Sequence, residues 1–159
     1  MSPDYLGMSK LDNLDYILFA VEQAKEAEEY GFTRNDCSRN LKTALHQYWQ
    51  NKEKGQHSTS QRKNLPRSVE ADKRELKGLR LEHVVPQMWF VDKFMDMDPI
   101  DKEEIRKLLE TYFNVLLVTK EEDAKLTDAG LRSDMPVDWD KKDPWARHKK
   151  VGIEIATKA

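Results

Sequence analysis

Cysteine is nearly missing from the 159-residue chain: Cys37 stands alone. An internal disulfide is thereby excluded, and so is a zinc site built on paired cysteines. Read on its helix, a lone cysteine is a small buried hydrophobe. Long apolar runs are also lacking. The longest clean one, Tyr16 to Val21, has six residues, against the roughly 20 that a membrane-spanning helix needs. The opening Met-Ser-Pro-Asp-Tyr-Leu-Gly has no basic patch leading into an apolar stretch, so no secretory leader is expected and the cytoplasm is the expected compartment. An excess of one charge is absent too. Lys and Arg number 27, Asp and Glu 29, for a formal net charge of −2, whereas a nucleic-acid-binding domain ordinarily carries a strongly basic total.

What the chain does have is charge of both signs. Charged residues make up 35% and hydrophobic ones 38%, with a mean hydropathy of −0.83. That composition can bury a core beneath a heavily charged surface. At 18.7 kDa there is room for one ordinary domain with an appended helical arm, but not for a barrel enzyme or a two-domain oxidoreductase. The charge is also segregated. Between Lys52 and Arg80 nine basic residues face four acidic ones, a net +5, while Asp92 to Asp143 carry 15 acidic against nine basic, a net −6. A near-neutral total therefore conceals a basic track beside an acidic segment, and nucleic acid is not excluded.

Leu11, Leu14, Leu18 and Val21 fall at helical spacing and predict an amphipathic helix over residues 11–30, stopped by Gly31. Thr33, with Asp36 three residues on, predicts the cap of a second helix whose stripe is Leu41, Leu45, Tyr48 and Trp49. The two form a hairpin. A basic connector follows, with a short helix expected from Val69 to Lys77 between Ser68 and Gly78. Leu79 to Val85 reads as a strand ending at Pro86, which cannot donate into a sheet. Asp98-Pro99 reads as the start of a helix with Ile105, Leu108, Leu109, Tyr112 and Phe113 on one stripe. Val115 to Val118 is a second strand, and Thr119 with Glu122 is a capping box that starts a helix at Lys120. A last helix is expected from Asp143-Pro144 towards Ile155. The predicted class is α+β: a helical hairpin and basic connector over residues 1–78, then a unit over residues 79–159.

Polar residues punctuate that second unit. Leu81-Glu82-His83-Val84-Val85-Pro86-Gln87 closes the first strand, Asn114-Val-Leu-Leu-Val-Thr119 forms the second, and Asp123 lies nine residues beyond Asn114 in the first turns of the capped helix. In these residues the chain resembles the HNH nuclease family, whose ββα-metal core carries an Asp/Glu-His-x-x-Pro first strand. The likeness to the Asp-His-Ile-Val-Pro-Gln segment of the HNH domain in CRISPR-guided nucleases is close, and it covers roughly residues 79 to 126. The resemblance implies a metal-dependent endonuclease or nickase acting on DNA. His83 would be the general base, since an imidazole with a pKa near 6.5 is neutral yet basic at physiological pH. Glu82 and Asp123 would hold one Mg²⁺ or Mn²⁺, a hard cation that keeps water and phosphate oxygens in its other positions. Asn114 would hydrogen-bond backbone across the long connection and keep the histidine strand in place. The family commonly has His or Asn where Asp123 stands; an aspartate there suits magnesium and argues against a softer metal such as zinc.

Geometry sets a condition on this reading. Neighbouring residues of a regular strand face opposite sides, so Glu82 and His83 share a site only if the strand end twists or bulges, which Pro86 favours. For the DNA itself, Arg62, Lys63, Arg67 and Arg80 in the connector and Arg147, His148 and Lys149 in the last helix are candidate phosphate contacts. Trp139 and Trp145 read as loop anchors rather than base-stacking platforms, and His46 and His57 receive no role. Two other readings stay open: a non-catalytic DNA- or partner-binding module with an HNH-like fold, and a helical adaptor that works through its hairpin.

Overall fold

The computed structural model describes residues 11–52 and 62–157. The N-terminal stretch and the middle of the connector, His57 included, lie outside the described residues. Helix α1 (Asn13–Glu29) opens on a reciprocal cap, in which Asp15 N donates to Asp12 Oδ1 and Asp12 N to Asp15 Oδ2, both at 2.9 Å. Its buried stripe is Leu14, Ile17, Ala20, Val21 and Ala24. Leu11 precedes the helix and is exposed, and Leu18 is half-buried. Gly31 ends it at φ +106°, in the region that favours glycine. Beyond the Thr33 cap, the expected single helix is two: α2 (Arg34–Cys37) and α3 (Arg39–Lys52). The break falls at the buried Ser38, whose hydroxyl donates to Asn35 O at 3.2 Å, a local bond that competes with helix continuation. Cys37 is half-buried against the core.

The connector is not a free linker where it is described. Leu117 N donates to Pro66 O and Ser68 N to Leu117 O, while Val69 N and Ala156 N pair with Glu154 O and Arg67 O at 2.8–3.0 Å. Residues 66–69 thus lie as an extended strip between the second strand and the C-terminal segment. Helix α4 (Val69–Asp72) is one turn from its Ser68 cap, shorter than the expected run to Lys77.

Strand β1 (Arg80–His83) pairs antiparallel with β2 (Val115–Val118), in the register Arg80 with Val118 and His83 with Val115. The connection holds two helices. Helix α5 (Gln87–Met95) starts immediately after Pro86 and buries Phe90, Val91, Phe94 and Met95; the sequence reading had no element there. Helix α6 (Lys102–Tyr112) starts one turn later than Asp98-Pro99 suggested, because Asp101 takes the cap and accepts from Glu103 N and Glu104 N. After β2, α7 (Lys120–Asp128) carries the expected capping box of Thr119 and Glu122 and packs on β1. Glu122 is buried and also accepts from Ser68 Oγ at 2.5 Å, which joins the caps of α4 and α7. The last helix, α8 (Ala146–Lys150), is shorter than expected. Gly152, at φ +76°, turns the chain so that Ile155 bridges Ser68 in extended form.

β2 is buried along its whole length and faces two cores. Val115 and Leu117 join a large cluster with Leu14, Ile17, Leu41 and Leu45 of the hairpin and Phe90, Phe94 and Leu109 of the connection. Leu116 and Val118 pack with Val84, Trp145 and Ile155 on the other face. The hairpin and the later chain therefore share one core. Arg34 adds a polar tie from α2, reaching Glu28, Asp92 and Asp96 at 2.8–3.2 Å. The result is a mixed α+β fold with one small antiparallel sheet. Among the described residues no helix is long and apolar enough to cross a membrane.

Candidate active site

The end of β1 is where the sequence placed its chemistry, and the strand is irregular there. In a regular strand consecutive carbonyls point opposite ways, yet those of His83 and Val84 both accept from Arg147 Nη2. The chain bends at Val84 and Val85. Glu82 and His83, adjacent in sequence, both contribute to the lining of one cleft of about 230 Å³, together with Pro86 and Gln87. The bend follows both residues, and up to His83 the strand keeps a regular register in which Glu82 stands opposite Leu116 and His83 opposite Val115. His83 is half-buried, its ring 5.7 Å from that of Phe113 and inclined at 50°.

Arg147 organises this corner. Its side chain is wholly withdrawn from solvent, and it donates to Glu82 Oε1 at 2.6 Å, Leu131 O at 2.7 Å and Val84 O at 3.2 Å, as well as to His83 O. A guanidinium without water must spend its donors on acceptors of the protein, and here they tie α8, the turn after α7 and the end of β1 together. Arg147 is therefore withdrawn from solvent and committed to acceptors of the protein, not one of the exposed cations that its basic neighbourhood in the sequence suggested. The same correction applies to His148, which is fully buried, with both ring nitrogens unpartnered and its ring edge-on to Trp145 at 5.7 Å. Burial first, and the charge of Arg147 second, hold the His148 pKa down to about 4 from 6.5.

That depression has a measurable consequence. Below pH 6.5 the unfolded chain takes up a proton that the folded chain refuses until about pH 4. Stability present above pH 6.5 is therefore lost as pH falls through that window, by about 3 kcal/mol at 1.36 kcal/mol per pH unit. Urea unfolding of the wild type and of His148→Leu, at pH values on either side of the window, is expected to give a steep loss for the first and a much flatter profile for the second. Parallel profiles would remove His148 as the acid-labile group.

The Glu82 carboxyl lies above its ordinary range. Its burial is the main cause, the neighbouring Arg147 pulls the other way, and the negative charge of Asp123 raises it further. Asp123 is half-buried in the first turn of α7, so its charge reaches the Glu82 carboxyl from the packed helix. Glu121, beside it, is instead exposed and paired with Arg74 at 2.9 Å. Asn114 does brace the histidine strand, but through its backbone: its carbonyl accepts from Val84 N at 2.9 Å, while its side chain stays local, donating to Thr111 O at 3.4 Å.

The donor set offers a divalent cation two carboxylates. Arg147 occupies Glu82 Oε1, leaving Oε2, and the charge of Asp123 on α7 acts on the same carboxyl. Among the described residues no group of three or more His, Cys, Asp and Glu is placed to hold a metal ion. A cation here would rest on two carboxylates and fill its other positions with water and phosphate oxygens, as magnesium does.

The other predicted contacts are dispersed. Lys63 and Arg80 are exposed, Arg62 and Arg67 half-buried, and Arg67 belongs to the strip bridged to Leu117; none of the four lines the cleft. Lys149 is exposed but paired with Asp143 at 2.6 Å. Trp139 packs on Trp89 and Tyr112 and donates to Asp143 O at 2.7 Å, so it anchors its loop. Lys42 from α3 and Arg132 from the turn after α7 do line the cleft, and sequence reasoning passed over both. No local pattern marks either one, since only the tertiary fold brings them to β1. No protein-family model matches the chain, and no curated protein or solved structure matches it.

Proposed function

We propose that this chain is a metal-dependent endonuclease or nickase of the HNH type, hydrolysing DNA phosphodiester bonds in the cleft at the end of β1. One observation carries the reading: Glu82 and His83 both contribute to the lining of the cleft at the end of β1, and the charge of Asp123 on α7 acts on the Glu82 carboxyl. Phosphodiester hydrolysis needs a base for the attacking water and positive charge for the phosphate and departing 3′ oxygen, both held rigidly about one phosphorus. His83 is the base and takes the proton from water as it attacks. Glu82 and Asp123 hold Mg²⁺ or Mn²⁺, which when bound offsets the charge that grows on the phosphate and leaving oxygen. Arg147 keeps the Glu82 carboxylate in one orientation, and the Asn114 carbonyl fixes the backbone just after His83.

Incubation of the purified protein with supercoiled plasmid is the test. Nicked or linear product is expected with Mg²⁺ or Mn²⁺, and none with EDTA; turnover that persists in EDTA overturns the metal assignment. Asp123→Ala is expected to raise the Mg²⁺ concentration needed for half-maximal cleavage by about tenfold or more, on the scale of losing one partner in a metal site. An unchanged metal titration removes Asp123 from the site. The hold of Arg147 on Glu82 favours one other reading, a cleft that binds DNA without cutting it. Salt-dependent binding with no product under any metal condition would select that alternative.

A further inference from the structure

Most basic side chains with a described partner sit against a carboxylate: Arg34 on Glu28, Arg74 on Glu121, Lys102 on Asp15 and Arg147 on Glu82. The two other cations that line the cleft do not. Lys42 Nζ donates to Asn35 Oδ1 at 3.1 Å, a neutral amide that leaves the ammonium charge uncompensated. The exposed Arg132 guanidinium has neither hydrogen bond nor ion pair among the described residues, though its charge is felt at Glu82. Glu82, the cleft's carboxylate, is already committed to Arg147. The cleft thus carries two surplus positive charges, delivered from segments far apart in the chain. The backbone at Lys42 is braced against the cleft, because Gln87 Nε2, at the start of α5, donates to its carbonyl at 3.0 Å. That strut secures α3 of the hairpin to the edge of the cleft.

Resting on the function proposed above, we propose that Lys42 and Arg132 form a phosphate-binding subsite for the DNA strand, so that the N-terminal hairpin supplies one wall of the substrate cleft. The ligand class follows from the charges. Uncompensated cations beside a hydrolytic centre suit the phosphates that flank the scissile one, and these set the register of the strand without reading its sequence. Gln87 is a positioning residue in this arrangement.

The test is fluorescence anisotropy of a labelled DNA duplex, in EDTA, across a series of KCl concentrations. Each phosphate contact contributes about 0.9 to the slope of log K against log salt. Lys42→Met and Arg132→Met are each expected to lower that slope by about 0.9 and to weaken binding several-fold at low salt, while Lys42→Arg keeps the wild-type slope. Methionine preserves the apolar stem, and matched melting temperatures confirm that the variants fold. Lys107→Met, on the exposed face of α6 outside the cleft, is the control and is expected to bind as the wild type does. Wild-type slopes in both cleft variants, or no binding by the wild type at low salt, overturn the subsite. Because binding is read without metal, its outcome is separate from turnover. Unchanged binding with plasmid cleavage intact rejects the subsite and keeps the nuclease; lowered slopes with no cleavage keep the subsite and reject the nuclease.

Discussion

Replacing His83 by alanine is expected to lower plasmid cleavage by at least about 10²-fold, the low end for loss of a general base, while the protein stays folded. The structure separates the two effects. The contact that anchors the strand end to Arg147 is made by the His83 backbone carbonyl, which alanine retains. Among the contacts that the substitution removes is the packing of a half-buried ring on Phe113. That is a loss on the order of 1 kcal/mol, or about 2–4 °C in melting temperature for a chain of this size. Imidazole added to the buffer should restore part of the activity of the His83→Ala protein, a response that a merely structural histidine would not give. Cleavage retained by a folded variant would take the histidine out of the mechanism.

Features encoded within a few residues were the ones legible in the sequence. Strand β2 has the predicted bounds, and α7 starts at Lys120 because Thr119 and Glu122 cap it within three residues of each other. The sequence reading put Glu82 and His83 at the end of the first strand, whereas their register against β2 and the cleft beside them come from the fold. Helix α5 was missed although Phe90, Val91, Phe94 and Met95 lie on one helical stripe, because the half-buried Met88 and Trp89 extend it into a continuous apolar run, Met88 to Val91, that masks the period. The roles of Arg147 and Lys42 were out of reach of any local pattern. Arg147-His-Lys-Lys reads as a solvated basic stretch, and only closure of the C-terminal segment over β1 turns its first two residues inward while Lys149 and Lys150 stay exposed.

Arg147→Met is expected to be the most destabilising of these substitutions, costing about 3–5 kcal/mol, as for the loss of one partner of a buried ion pair. The reasoning starts from what remains behind. The carbonyls of Leu131, His83 and Val84 lose their donor, and Glu82 keeps a largely buried carboxylate with the charge of Asp123 still acting on it. The second effect gives the prediction a sign in pH. Glu82 already titrates above its ordinary range, and removing Arg147 removes an influence that lowers it. A carboxyl whose folded pKa is raised contributes most below its unfolded pKa, and that contribution fades as pH rises through the folded value. The stability gap between wild type and Arg147→Met should therefore be narrower near about pH 5 than near about pH 7.5. The acid loss from His148 cancels from this difference only if its ring is equally buried in both proteins, so the comparison is made in the His148→Leu background. Adding Glu82→Gln should remove the pH dependence of the gap yet leave most of the deficit, because the abandoned carbonyls are still without a donor. A gap that does not change with pH would place the cost of losing Arg147 in those carbonyls alone, and would remove Arg147 as a group that lowers the Glu82 pKa.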